Sequence, residues 1–144
     1  MTAQRGPSRL TALVATGFLY FAVVFAFAFA MGIGRVLVVA PRLGANAAVF
    51  LEIPVLLTVS WFVARRLVHK RFFAFWQLVS IGASAFALTM ISEAALADMI
   101  RGQSLAQWAA DLVTPLGLVG LAGQLGFAIM PVLAGGQNNQ ARET

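Results

Sequence analysis

Four long apolar runs constrain this chain more than any other feature. They cover residues 10–34, 45–64, 72–92 and 112–133, and each is close to or above the roughly 20 residues that a helix needs to cross a bilayer core. Only 10% of the 144 residues are charged and 60% are hydrophobic, whereas soluble domains average about 25% charged residues. The sequence therefore excludes a soluble domain and predicts an integral membrane protein.

One local pattern has the period of a strand, the alternation of phenylalanine and alanine from Phe25 to Ala30. A membrane β-barrel needs many segments of about ten residues with one polar face, and these runs are longer and apolar on every side. We therefore predict an all-α integral membrane four-helix bundle of two helical hairpins. Residues 10–134 form its transmembrane domain, residues 1–9 a cytoplasmic tail, and residues 135–144 a polar, disordered cytoplasmic tail.

The loop at residues 65–71 determines the predicted orientation, because Lys and Arg are retained on the cytoplasmic side in short loops. With this loop inside, seven of the ten basic residues are cytoplasmic. Trp61 and Trp76 flank the loop where an interfacial aromatic belt is expected. The pattern predicts an N-in, C-in protein of a bacterial inner (plasma) membrane, with a basic loop that attracts anionic lipid headgroups. The basic residues of this loop are Arg65, Arg66, Lys70 and Arg71.

A cleaved signal peptide is the alternative explanation of the first run. Arg5 and Arg9 precede the run, and Ala28-Phe29-Ala30 has the small-x-small form of a cleavage site. The apolar stretch before this triplet is about 18 residues, longer than the usual 7 to 15 of a signal core. We therefore expect the first span to be retained.

Small residues predict where the helices meet, because lipid solvates an apolar helix face about as well as another helix does. In the first span four of them recur every four residues and predict a helix contact. In the fourth span four glycines recur every three residues; each step turns about 60° backwards around a helix, which predicts a helix crowded by more than one neighbour. The two sets are Ala22, Ala26, Ala30 and Gly34, and Gly117, Gly120, Gly123 and Gly126.

The loop between the third and fourth runs carries a helix-start signal. Ser104 and Gln107 match a capping box, and Leu105, Trp108 and Leu112 follow at helical spacing. This pattern predicts a short amphipathic helix in the outer interface. The alternative is an ordinary approach to the fourth span.

Glu52 is the residue most suggestive of chemistry, because it lies about seven residues inside the second span and an unpaired carboxylate there is costly. Arg35, at the outer end of the first span, is the predicted partner by depth and sequence proximity, followed by Arg42. Glu93 closes the third span. Together with Trp108, these residues are predicted to line an outward-opening polar pocket.

Three hypotheses apply to this cluster: a structural ion pair that sets helix register, a site for a proton, ion or small ligand, and an interface for a second copy or another membrane protein. The chain has no cysteine and a single histidine, His69, and it contains no metal-binding, phosphate-binding or catalytic-serine motif. We therefore expect no metal, no cofactor and no nucleic-acid partner.

The composition and motifs predict a non-enzymatic accessory, assembly or interaction component of the membrane. The alternative is a small transporter or ligand-binding membrane protein with an outward-facing polar site around Glu52, Glu93 and Arg35.

Overall fold

The computed structural model describes residues 9–69 and 73–140, and all the regular structure within them is helical. Four stretches there are long and apolar enough to cross a membrane, which confirms the predicted four-helix membrane bundle: Leu10–Leu43, Ala45–Val68, Phe75–Arg101 and Pro115–Gly136. The elements in chain order are α1 (Arg9–Gly34), a π-helical segment (Arg35–Val39), α2 (Ala40–Leu43), α3 (Ala45–Val68), α4 (Phe75–Arg101), α5 (Leu105–Leu112) and α6 (Pro115–Gln140).

The membrane helices are arranged around the bundle in the order α1, α3, α6, α4, and α4 packs back against α1. The pairs α1/α3 and α4/α6 are therefore the two predicted hairpins. We call the end with Arg65 and Arg66 the basic end and the end with Gly44 and Gly102 the distal end. Gly44 (φ 84°) and Gly102 (φ 63°) have positive φ angles, which favour glycine, and each allows a helix to stop there.

The first helical stretch is longer than the apolar run predicts. Although proline commonly ends a helix, the chain stays helical through Pro41 to Leu43. Proline lacks the N–H that would bond to the carbonyl of Leu37, and its ring crowds that carbonyl. The helix widens into the π-helical segment at this point, where the Ala40 N–H donates to the Arg35 carbonyl. Arg35 consequently lies inside a continuous helix and not at its end.

The helix α4 also extends beyond its predicted end at residue 92. It continues to Arg101, because alanine and leucine at residues 94–97 are strong helix formers although Glu93 and Asp98 interrupt the apolar run. Glu93 therefore lies within the helix, eight residues before its end, and does not close it. The predicted start at residue 72 lies outside the described residues.

The predicted short helix before the fourth span is confirmed as α5. The Ser104 N–H donates to Gln107 Oε1 at 2.8 Å, and the Gln107 N–H donates to Ser104 Oγ at 3.3 Å. These two bonds form the expected capping box. The helix α6 then begins at Pro115, where a missing N–H has no intrahelical partner to lose.

The hydrophobic core is concentrated in the half of the bundle toward the basic end. Its closest helix approach joins α4 to α6, where a Cβ atom at Gly82 would overlap the carbonyl oxygen of Ala128. Only glycine allows this approach. The buried core residues are Tyr20, Val24, Ala64, Val68, Leu78, Ile81, Ala85, Phe127 and Ala134.

One hydrogen bond joins the diagonally placed helices α1 and α6. Pro131 lacks the N–H that would bond to the Phe127 carbonyl four residues earlier, and the Tyr20 hydroxyl donates to this carbonyl at 2.7 Å. The two rings also stack, with centroids 4.8 Å apart, and both residues are buried. The proline thus creates an acceptor in the core that the tyrosine satisfies.

This pairing predicts that Tyr20→Phe destabilises the protein by about 0.5–2 kcal/mol, because an interhelical hydrogen bond is lost and the Phe127 carbonyl is left without a donor. In a Pro131→Ala background the restored N–H bonds to the Phe127 carbonyl, and Tyr20→Phe then costs less. Equilibrium unfolding of the four proteins in detergent micelles measures both values. An equal cost in the two backgrounds would contradict the assignment.

Candidate functional site

Four polar side chains from four different helical stretches lie at a similar depth. Arg35, Glu52, Glu93 and Gln124 are each seven to nine residues from the distal end of their helical stretch, a distance of about 10–14 Å at 1.5 Å per residue. We call these four residues the polar layer. Its depth follows from the longer first helix and the longer α4, which bring Arg35 and Glu93 to the level of Glu52.

Arg35 and Glu52 form an ion pair in this layer. Arg35 Nε lies 3.1 Å from Glu52 Oε2, and the two side chains are 37% and 15% exposed. The Arg35 Nε atom makes no hydrogen bond. Its contact with the Glu52 carboxylate is therefore an electrostatic attraction and not a hydrogen bond. Arg42, the second predicted partner, is exposed in α2.

Glu93 is held by a different partner, from α6. Gln124 Nε2 donates to Glu93 Oε1 at 2.6 Å. Among the described residues, the one ion pair with an N···O distance within 4 Å joins Arg35 to Glu52. Glu93 forms no ion pair with a described residue within that distance. The side-chain oxygen of Gln124, Oε1, is buried without a hydrogen-bond partner. The layer therefore contains a carboxylate without an adjacent cation and an amide oxygen without a donor.

A cavity of about 680 Å³ contains the polar layer. All four membrane helices line it, and it extends from Phe127 in the middle of the bundle to Arg101 and Trp108 at the distal end. Toward the basic end its lining includes Phe127, whose ring stacks on that of Tyr20. Its volume lies within the roughly 300–1,000 Å³ that is typical of small-molecule sites.

Four of the five residues predicted to share a pocket line this cavity: Arg35, Glu52, Glu93 and Trp108. Arg42 does not. Gln124 and Arg101 also line the cavity but were absent from the predicted cluster. Gln124 gave a sequence signal, a polar residue in an apolar run, although its pairing with Glu93 depends on how α4 and α6 pack.

The predicted small-residue stripe of α1 is directed away from the interior of the bundle. Ala26 and Ala30 are exposed, and Ala22 and Gly34 are partly exposed. A Cβ atom at Gly34 would meet nothing within 4 Å among the described residues. Within the single chain, this stripe therefore lies on the outer surface.

The four glycines predicted to crowd the fourth span face different surroundings. Gly117 lies against the last turn of α5, whereas Gly123 and Gly126 lie against side chains of α3. Gly120 has open space where its side chain would be and lines the cavity. The helix α6 thus meets two neighbours and the cavity through these positions.

At the basic end, the Arg65 guanidinium lies 5.1 Å from the centre of the Trp61 ring. Arg66 and Trp76 are exposed there. Lys70 and Arg71, the other predicted headgroup contacts, lie outside the described residues.

No family model, curated protein or solved structure matches this chain. Within the described residues, no group of three or more His, Asp or Glu is arranged to hold a metal ion.

The ion pair predicts that Arg35→Gln or Glu52→Gln alone destabilises the protein, because each change leaves the charge of the other residue unpaired inside the bundle. The expected cost is about 1–3 kcal/mol, between the values typical of exposed and of buried pairs. The double variant recovers most of this loss, since neither charge of the pair remains. Unfolding in detergent micelles measures the cycle, and additive losses would show that the pair does not contribute to stability.

Proposed function

We propose that this chain is a small ligand-binding membrane protein whose cavity receives an amphipathic molecule. The observation that carries the proposal is the coincidence of the cavity with the polar layer. The lining is largely apolar with a few convergent polar groups, which is the typical chemistry of small-molecule sites. Ionisable residues within membrane spans also commonly mark ligand or ion pathways.

The contrast between the two halves of the bundle supports the same proposal. Protein interiors contain few voids larger than a water molecule, and near Gly82 and Ala128 the helices α4 and α6 are in direct backbone contact. The distal half instead leaves room around Glu52 and Glu93. A structural ion pair alone does not require such a volume, whereas a bound molecule does.

We propose binding and not transport, because a transported molecule must also leave toward the basic end. The buried Tyr20 and Phe127 rings obstruct that route. Transport would require their separation and therefore the loss of the hydrogen bond between α1 and α6.

The accessory or assembly role that the sequence predicts stays a prediction. The exposed stripe of α1 is compatible with a helix partner, but lipid covers such a face equally well. Recovery of one stoichiometric partner from solubilised membranes would favour that role, whereas a purified protein that binds small molecules by itself favours the proposal made here.

We further propose that the protein lies in a bacterial inner (plasma) membrane with both termini in the cytoplasm. The four basic residues within 65–71 support this orientation through the retention of Lys and Arg in cytoplasmic loops. The cavity then faces the outside.

The absence of cysteine from the chain allows a direct test of this orientation. In intact cells or spheroplasts, a membrane-impermeant maleimide is expected to label a Gln103→Cys variant. A His69→Cys variant is expected to react only after the membrane is permeabilised. The opposite labelling pattern would invert the proposed topology and direct the cavity toward the cytoplasm.

Filling the cavity tests ligand binding. Gly120 and Gly136 both lie on α6 with open space where a Cβ atom would be, but only Gly120 lines the cavity. Gly120→Trp is expected to abolish binding because the indole occupies the cavity, and Gly136→Trp serves as the matched control.

The binding measurement uses three probes: 4-phenylbutylamine, 4-phenylbutan-1-ol and 4-phenylbutyrate. Each is titrated calorimetrically into protein in lipid nanodiscs, and empty nanodiscs are used to subtract partitioning into lipid. Failure of the wild-type protein to bind any probe, or equal binding by the Gly120→Trp variant, would contradict the proposal.

A further inference from the structure

The charges of the polar layer do not balance. Arg35 lies beside Glu52, which leaves Glu93 without a cationic nitrogen within 4 Å among the described residues. The other cation that lines the cavity, Arg101, is exposed at the last residue of α4, eight residues or about 12 Å along the helix from Glu93. With its carboxyl groups ionised, the layer therefore holds two negative charges and one positive charge, and the second cation of the cavity, Arg101, lies at its distal end.

The polar layer also contains more hydrogen-bond acceptors than donors. An ionised carboxylate accepts up to about four hydrogen bonds, and Glu93 accepts the one from Gln124. Gln124 Oε1 is buried and has no donor. Because Gln124 Oε1 is buried away from the cavity surface, a ligand that carries N–H donors as well as positive charge would use the remaining acceptor capacity of the Glu93 carboxylate.

The remainder of the lining suits the rest of such a ligand. The rings of Phe25, Phe29 and Phe127 line the cavity toward the middle of the bundle, and Trp108 lines it at the distal end. Aromatic faces attract a nearby cation, most strongly when it is shielded from water. They also provide apolar surface for a hydrocarbon or aromatic body.

We propose that the cavity binds a monovalent organic ammonium ion with an apolar body, with Glu93 as its counter-ion. The Arg35–Glu52 pair then forms a neutral wall of the site. This inference rests on the proposed ligand-binding function and specifies the chemical class of its ligand.

The three phenylalkyl probes test the inference in the wild-type protein, because they have apolar bodies of nearly equal size and differ in head-group charge. At pH 7 the amine is protonated, as a lysine side chain is, and the butyrate is ionised, as a glutamate is. The amine is expected to bind at least about ten-fold more tightly than the alcohol, and the butyrate most weakly, because one charge remains to be paired in a desolvated site. Equal binding of amine and alcohol, or tighter binding of the butyrate, would overturn the inference and leave the proposed ligand-binding function intact. Binding of none of the probes would overturn both.

A pair of matched variants assigns the charge preference to Glu93. Glu93→Gln removes the charge but retains an oxygen that accepts from Gln124, and Asp98→Asn removes an exposed carboxylate of α4 that does not line the cavity. The ratio of amine to alcohol affinity is expected to fall to about three-fold or less in Glu93→Gln and to stay at the wild-type value in Asp98→Asn. Binding of the alcohol to Glu93→Gln shows that its cavity is still formed. An unchanged ratio in Glu93→Gln would overturn the assignment, and the wild-type ratio tests the ligand class even where this variant does not fold.

Discussion

The hydrogen bond from Tyr20 to the Phe127 carbonyl connects the two diagonal helices of the bundle, and it divides the molecule into two halves with different packing. A carbonyl that loses its helical donor inside a membrane needs another donor, because the hydrocarbon offers none. Pro131 creates this need and Tyr20 meets it at 2.7 Å. Toward the basic end the helices approach closely enough that Gly82 cannot carry a side chain. Toward the distal end they line the half-open cavity.

The polar layer gives the distal half its chemistry. Each of its side chains is costly within a membrane protein unless it has a partner, and the structure provides partners unevenly. Arg35 compensates the charge of Glu52, whereas Glu93 receives a neutral amide from Gln124. A site that compensates one of its carboxylates internally and leaves the other open differs from a structural ion pair. The proposal of a cation ligand rests on this difference.

Much of the site was predictable from the sequence, and the residues show why. Glu52 is conspicuous because charges are rare in apolar runs, and Arg35 and Glu93 lie directly at the ends of such runs. Depth and sequence proximity together suggested that Arg35 would meet Glu52. The depth of Glu93 was harder to predict, because hydropathy marks where an apolar run ends but not where the helix ends. Alanine-rich residues 94–97 continue α4 past the charges, and a π-helical segment carries the first helix past Pro41. Gln124 is a polar residue within an apolar run, but its pairing with Glu93 requires knowledge of which helix faces α4.

The sequence by itself determined the class of protein, the number of spans, the capped helix before the fourth span and the carboxylates that need partners. These follow from local quantities: the length of apolar runs, the hydrogen bonds of a capping box, and the cost of charge in hydrocarbon. Only the tertiary structure decided that α1, α3, α6 and α4 follow one another around the bundle, that four polar side chains reach one level, and that a cavity surrounds them. The reason is that lipid solvates every apolar helix face nearly equally, so hydrophobicity does not select which faces meet. Close fits such as Gly82 against Ala128 make that selection, and they exist only once the helices are packed together.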